Sequence, residues 1–106
     1  MIPLKTVKEL MIKHSTLEKD LSSGELDKKL FAEKSKEYSD LNEIIEHAKK
    51  YISFENDKNE LEKILNDGSG DEELKSMAEF ELKELQSEHE ISEKKLKLFL
   101  LPKDEA

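Results

Sequence analysis

Asn66-Asp67-Gly68-Ser69-Gly70 divides the second half of the chain into two long segments and decides the fold. Two glycines within three residues, preceded by Asn and Asp, favour the end of a helix and a tight turn. On either side of this turn, apolar residues recur at three- and four-residue spacing, which is typical of amphipathic helices. Because a short turn joins neighbouring helices, the sequence predicts an antiparallel helical hairpin here.

The helix before the turn, called helix two, is predicted to begin at about Glu25. One narrow face of it carries these residues: Leu30, Lys34, Tyr38, Leu41, Ile45, Ala48 and Ile52. Phe54, Leu61 and Leu65 lie on a different side, and the change falls within Ser53–Asp57, which contains weaker helix formers. Helix two therefore either bends at this segment or passes from one packing partner to another.

The helix after the turn, helix three, is predicted to begin with a capping box at Ser69-x-x-Glu72 or with Asp71 as the cap. Its main apolar stripe contains Leu74, Ala78, Leu82, Leu85, His89, Leu96 and Phe99. A second stripe contains Met77, Phe80, Ile91 and Leu98. Two stripes broaden the apolar face, so helix three is expected to touch more than one surface. Pro102 ends the helix and pushes Leu101 toward an extended conformation.

Helix one is predicted from about Pro3 to Ser22, with a capping box at Thr6-x-x-Glu9 and Gly24 closing its end. The predicted fold class is all-α with three helices. Helices two and three form a long antiparallel α-hairpin, and the shorter N-terminal helix one packs on it near its open end. At 1.5 Å per residue, such a hairpin is roughly 40–60 Å long.

Charged residues make up 42% of the chain, and the formal net charge is −8. This balance argues against a domain that grips nucleic acid with its whole surface, because phosphate binding depends on Lys and Arg. A local basic patch remains as a candidate contact, formed by Lys94, Lys95, Lys97 and Lys103. The chain has no cysteine, no signal peptide and no membrane-spanning segment, which favours a cytoplasmic protein without a membrane partner.

The sequence predicts no catalytic, cofactor-binding or metal site and no small-molecule substrate. The three histidines, His14, His47 and His89, lack the neighbours of helical zinc or di-metal carboxylate sites. His14 and His89 lie on apolar stripes and are expected to be packed or half-buried. The acidic pair Glu72-Glu73 is expected to be solvated, since nothing on an exposed helix would shift its pKa values.

Three segments together resemble a known family. They are Ser35-Lys36-Glu37-Tyr38-Ser39-Asp40-Leu41, Met77-Ala78-Glu79-Phe80-Glu81-Leu82 and Leu100-Leu101-Pro102-Lys103-Asp104. In order and spacing they are similar to the N-terminal helical domain of the bacterial peptide chain release factor 1 family, class I factors of translation termination. The resemblance covers nearly the whole chain, and helix one is its least distinctive part.

The resemblance implies a factor that enters the ribosomal A site, recognises UAA or UAG and triggers hydrolysis of peptidyl-tRNA. The family's Gly-Gly-Gln and Pro-x-Thr tripeptides do not occur in this sequence. The chain is therefore expected to be a fragment, with residues 1–101 as the helical domain and 102–106 as the start of a junction to further domains. In the family this domain reaches toward the base of the ribosomal stalk, and the charge of −8 favours contacts mainly with protein.

Phe80 occupies a position that we expect to be polar in the family. It either packs against helix one within the second stripe, or it is an exposed apolar site through which copies of the chain associate. An alternative function is an independent helical-hairpin adaptor or chaperone subunit, in which the broad face of helix three binds a partner helix. The sequence that follows Ala106 in the gene would separate these functions.

Overall fold

A computed structural model describes residues 1–68 and 70–102 of the 106-residue chain. Within these ranges the chain forms four α-helices and no strand: α1 (Leu4–Ser22), α2 (Lys28–Asn42), α3 (Ile45–Leu65) and α4 (Glu72–Leu100). The all-α class is confirmed, and the predicted number of three helices is wrong. The molecule is elongated, with extents of 61 × 33 × 20 Å.

Two helical hairpins share one core. α1 packs on α2 and on α3, while α3 makes its most extensive contact with α4. α3 and α4 are antiparallel, since Lys50 near the start of α3 forms an ion pair at 3.9 Å with Glu88 in the second half of α4. The core contains Ile2, Val7, Leu17, Leu41, Ile44, Ala48, Tyr51 and Leu96. The predicted long hairpin, with α1 packed near its open end, is thus present as α3 and α4.

The predicted helix two is interrupted at Glu43 and Ile44, which separate α2 from α3. Ile44 adopts φ −112° and ψ −11°, and its N–H donates to the Leu41 carbonyl at 3.0 Å. The Ile44 side chain is buried in the core. The break at this residue allows α2 to pack on α1 and α3 to pack on α4. No glycine or proline marks this position, so local sequence rules do not identify it.

The segment Ser53–Asp57, where a bend or a change of partner was predicted, lies within the unbroken helix α3. Tyr51, one turn earlier, belongs to the core shared with α1. Beyond Glu55, α3 faces α4 across a groove that contains Leu61 and Ile64 on the α3 side. The change of apolar face therefore reflects a change of packing partner.

Most helix ends follow their predicted residues, with two corrections at the starts. Gly24 ends the α1 segment with φ +73°, and Asp71 caps α4 by accepting the Glu73 N–H at 3.0 Å. The alternative cap at Ser69 lies outside the described residues. Thr6 does not cap α1, because α1 begins after Pro3 and the Thr6 N–H donates to the Pro3 carbonyl.

The start of α2 and the end of α4 also have identifiable causes. α2 begins three residues later than predicted, where the Asp27 carboxylate accepts the Leu30 N–H at 2.8 Å. At the other end of the chain, Leu101 is extended with φ −64° and ψ 142°, as expected for a residue before Pro102. The predicted helix end at Pro102 is thus confirmed.

The two stripes of α4 have different environments. In the main stripe, Ala78 and Leu96 are buried, whereas Leu74 and Phe99 remain exposed. The second stripe faces solvent: Met77, Phe80, Ile91 and Leu98 are 56%, 63%, 52% and 69% exposed. α4 packs mainly on α3, and its Leu96 also belongs to the core that contains Leu17 of α1 and Leu41 of α2. The helix thus reaches a second surface through Leu96 of the main stripe, whereas the residues of the second stripe are exposed.

A polar pair lies inside the α3–α4 contact. Ser92 is 1% exposed, and its hydroxyl is joined by a 3.0 Å hydrogen bond to Nδ1 of His47. Burial lowers the pKa of His47 below its ordinary value of 6.5, and the positive charges of Lys95 and Lys50 lower this pKa further. The neutral imidazole is therefore the form that fits this contact.

Leu96→Ala is expected to lower the free energy of unfolding by about 2–5 kcal/mol, because it leaves a cavity at a fully buried core position. Leu98→Ala, two residues along the same helix, is the matched control and should change stability by less than about 0.5 kcal/mol, since Leu98 is 69% exposed. Urea unfolding followed by circular dichroism at low protein concentration measures both. Equal losses for the two variants would contradict the assigned orientation of α4.

His47 should make stability depend on pH. Its folded-state pKa is lower than its unfolded-state pKa, so the unfolded chain binds more protons as the pH falls below about 6.5. The contribution of neutral His47 to the free energy of unfolding is therefore complete above that pH and decreases upon acidification. Denaturant unfolding of the native chain and of His47→Gln at several pH values isolates this effect. Identical pH dependence in both proteins would refute it.

Candidate functional site

The net charge is confined to one end of the molecule. Residues 55–88, which form the distal half of the α3–α4 hairpin and its turn, contain twelve Asp and Glu against four Lys. This segment, called here the acidic end, carries the full net charge of −8. The remainder of the chain is balanced, with fourteen acidic and fourteen basic residues. The hairpin folds this acidic stretch of sequence back on itself, so its charge lies at one end of the molecule.

In the part of the chain that the structure describes, the acidic end is built from α3 and α4 without support from another helix. Going along α3, the last buried residue is Phe54, and Ala78 is the first buried residue of α4. Between them, a groove of about 470 Å³ separates the two helices. Its walls carry the carboxylates of Asp57, Glu60, Glu81, Glu84 and Glu88 and the apolar side chains of Leu61, Ile64 and Leu85. The groove is thus open and mainly acidic, and few apolar side chains line it.

No cluster of three or more His, Asp or Glu side chains within residues 1–68 and 70–102 is arranged to hold a metal ion. Glu72 and Glu73, at the start of α4, are exposed, as expected for solvated carboxylates. They lie in the first helical turn, where negative charge interacts favourably with the helix dipole. Their position is therefore accounted for by helix stability.

Three of the four predicted basic contacts lie near the end of α4. Lys94 and Lys95 are exposed, and Lys95 is close enough to His47 to lower its pKa. Lys97 forms an ion pair with Glu93 at 3.4 Å one turn earlier. Lys103 lies outside the described residues. The structure thus places Lys94, Lys95 and Lys97 on the last two turns of the helix, at the opposite end of α4 from its acidic start.

Phe80 lies on the solvent side of α4, near the acidic end. It is 63% exposed and does not pack against α1. With Lys83, Glu84, Ser87 and Glu88 it lines a shallow depression on this face. Of the two predicted environments for Phe80, the structure therefore shows the exposed apolar site.

The N-terminal residues make a contact that the sequence did not predict, between Ile2 and Tyr51, which we call the N-terminal clasp. The Tyr51 hydroxyl accepts a hydrogen bond from the Ile2 N–H and donates one to the Ile2 carbonyl, both at 2.9 Å. His89 stacks on Phe54 and Tyr51, with ring centroids at 3.8 Å and 5.0 Å. An apolar cavity of about 370 Å³ lies beside them, next to Pro3. This long-range contact between residues 49 apart carries no local sequence signal.

The three histidines have structural environments. His14 stacks on Tyr38 at 4.7 Å and donates from Nε2 to the Asn42 side-chain oxygen at 2.6 Å. His14 and His89 are half-buried, as predicted from their place on apolar stripes. His47 interacts with Ser92 between α3 and α4. The histidines thus connect helices to one another.

These observations describe a molecule whose functional features are surfaces. One is the acidic end, another is the exposed apolar stripe of α4, and the third is the group of lysines near the end of α4. Exposed apolar patches and surfaces of one charge are typical of sites that recognise a partner. None of the helices in the described part of the chain is long and apolar enough to cross a membrane.

The chain matches the model of one protein family, the PCRF domain, over residues 10–106. It is 70% identical to peptide chain release factor 1 of Pelagibacter ubique over 106 residues, which are all of this chain and 30% of that protein. Peptide chain release factor 1 of Alkaliphilus oremlandii is 37% identical over 94 residues, covering 87% of this chain and 26% of the relative. That of Streptococcus agalactiae is 40% identical over 78 residues, covering 74% and 22%.

No solved structure matches the chain. The chain spans less than a third of the length of the curated relatives described above. The part of the Pelagibacter factor that it matches is the N-terminal part. The motif resemblance and the match over nearly the whole sequence agree: the chain belongs to the PCRF domain family and is similar to the N-terminal part of peptide chain release factor 1.

Proposed function

We propose that the chain is the N-terminal helical domain of a peptide chain release factor 1, which in full length directs termination of translation at UAA and UAG in the cytoplasm. The observation that carries this proposal is the 70% identity to such a factor over all 106 residues. In this proposal the domain contacts and positions the factor on the ribosome and has no catalytic activity of its own. The segregated charge and the exposed surfaces support a binding role.

The acidic end is the proposed contact with the base of the ribosomal stalk. Its twelve carboxylates would be repelled by RNA phosphates and attracted by a basic protein surface. We therefore infer that this contact is mainly with a ribosomal protein. The proposed sites for any RNA contact remain the lysines at the other end of α4, which are Lys94, Lys95 and Lys97, together with Lys103, which lies outside the described residues.

The elongated shape fits such a positioning role. The acidic end projects past α1 on two helices, while the four-helix core lies at the end of the molecule where Pro102 directs the chain onward. A contact made at the acidic end would therefore act through the length of α3 and α4 on whatever follows Pro102. Near the core, the burial of Ser92 and Leu96 between α3 and α4 holds the two helices rigidly together.

A chimeric factor tests the function. This chain replaces the corresponding N-terminal 30% of the Pelagibacter ubique factor, and release of peptide from purified termination complexes is measured at UAA, UAG and UGA. The chimera should release peptide at UAA and UAG at a rate close to that of the relative and not at UGA. The isolated chain should release none. A folded chimera without activity, or stop-codon-dependent release by the isolated chain, would contradict the proposal.

Charge reversal tests the partner class. Glu60→Lys with Glu81→Lys, made in the chimera, should raise the ribosome concentration needed for half-maximal release by about three- to tenfold, because attraction to a basic surface is lost. Glu9→Lys with Glu33→Lys is the matched control, since it changes the net charge equally at exposed positions outside the acidic end. An RNA target would give the opposite sign: tighter binding by the acidic-end variant would refute a protein contact.

A further inference from the structure

The turn between α3 and α4 contains a chemically labile pair of residues. Asp67 is followed by Gly68, and no other Asp in the 106-residue sequence precedes a Gly. In such a pair the backbone nitrogen of the glycine can approach the aspartate side chain, because glycine has no Cβ to hinder it. The two reacting groups belong to neighbouring residues, so their reaction is intramolecular and needs no enzyme. Whether it occurs depends on where the structure places the pair.

Asp67 and Gly68 lie in an open part of the molecule. Both residues are exposed, and both lie between the end of α3 at Leu65 and the start of α4 at Glu72. A Cβ placed on Gly68 would meet no heavy atom within 4 Å, so the space around this peptide unit is open. Helical residues differ in this respect, since each turn of a helix is fixed by hydrogen bonds to the next turn.

The other aspartates of residues 1–68 and 70–102 occupy helical or capping positions. Three of them lie within α1, α2 and α3: Asp20, Asp40 and Asp57. Asp27 and Asp71 cap α2 and α4, where their carboxylates accept backbone N–H groups at 2.8 Å and 3.0 Å. Each of the five is followed by Leu, Lys or Glu, and these side chains hinder attack by the next backbone nitrogen. Position 67 thus differs from them in both sequence and structure.

We propose that Asp67 is a site of spontaneous isoaspartate formation. The Gly68 nitrogen attacks the side-chain carboxyl carbon of Asp67 and forms a C–N bond, while the carboxyl hydroxyl and the amide proton leave as one water molecule. The product is a cyclic succinimide. Water then adds to one of its two carbonyls and breaks the C–N bond there. Opening at one carbonyl restores aspartate, and opening at the other gives isoaspartate, whose main chain runs through the former side chain.

Isoaspartate at residue 67 changes the path of the turn and keeps its charge. The main chain becomes one carbon longer, and the former backbone carbonyl of Asp67 becomes a carboxylate outside the main chain. In the structure this carbonyl accepts the Gly70 N–H at 3.2 Å, one residue before the Asp71 cap of α4. A Cβ placed on Gly70 would lie 3.2 Å from the same carbonyl oxygen, so the two residues are in close contact. The modification therefore disturbs the start of α4.

The disturbance should remain within the acidic end. The last buried residue of α3 is Phe54 and the first buried residue of α4 is Ala78, so the turn is separated from the core by several helical turns. Few buried contacts hold the segment between them, and such segments open locally at low cost. The reaction requires no ribosome and no other partner, so it is independent of the proposed function.

The test is the isoaspartate content of the folded chain after weeks at physiological temperature and neutral pH. Mass spectrometry with electron-transfer fragmentation distinguishes isoaspartate from aspartate and locates it in the sequence. Isoaspartate should accumulate at residue 67 at least about tenfold faster than at Asp71, because only the former precedes a glycine. The folded chain should react within about threefold of the rate in urea, since the turn is open. Equal accumulation at the two positions, or strong protection by folding, overturns the proposal.

Three variants test the chemistry. Gly68→Ala should lower the rate about tenfold, since its Cβ hinders the attack while the open space around it leaves the fold intact. Asp67→Asn should react at least about tenfold faster, because ammonia is then lost from a neutral amide. Asp71→Asn is the matched control and should stay unmodified, since Asn also caps helices and Glu72 follows it. An unchanged rate in Gly68→Ala, or modification of Asp71→Asn at the rate of Asp67→Asn, contradicts the assignment.

The structural effect is measured on the isoaspartate form after its chromatographic separation from the unmodified chain. Amide hydrogen exchange should become about tenfold faster in residues 61–67 and 72–80, which flank the turn, and remain unchanged in residues 44–54 of α3. Exchange that is equally fast in both forms at residues 61–67 and 72–80 would show that the turn tolerates the longer main chain and would refute the effect on the acidic end.

Discussion

The structure depends on the burial of Leu96 against the junction between α2 and α3. Leu96 has no exposed surface, and it shares a core with Ile44 and Ala48, which lie at and just after the helix break. This contact joins the last turns of α4 to the point where the chain changes from the first hairpin to the second. Ser92, one turn before Leu96, adds a polar contact to His47, so the position of α4 along α3 is fixed by packing and by hydrogen bonding together.

The consequence of this arrangement is a molecule with two unlike ends. Near the core, four helices and the N-terminal clasp at Tyr51 bury the residues that hold the fold. Away from it, α3 and α4 contact no further helix of residues 1–68 and 70–102, and the carboxylates of the acidic end repel one another across the groove. Such an end has few buried contacts to stabilise it, which is the physical setting in which a partner of opposite charge adds most.

Those parts of the fold that depend on short-range sequence signals were predicted correctly. Gly24, Asp71 and Pro102 stand at helix ends because their backbone or capping properties act locally, and the hairpin follows from the turn that contains Gly68 and Gly70. The break at Ile44 has no such signal, because it buries one isoleucine in a core formed by residues that are distant in the sequence. No local signal marks the N-terminal clasp either. The burial of Ser92 was not predicted because its side chain is polar.

The candidate surfaces were predictable to a different extent. Apolar periodicity correctly identified the residues of both stripes of α4, but periodicity reports that a face is apolar and says nothing of what covers it. Periodicity therefore left two environments open for Phe80 of the second stripe, and the structure shows that Phe80 and Leu98 are exposed. The carboxylates of the acidic end can be counted in the sequence. They can be assigned to one end of the molecule only after the turn has been placed, because the turn folds the two acidic segments side by side.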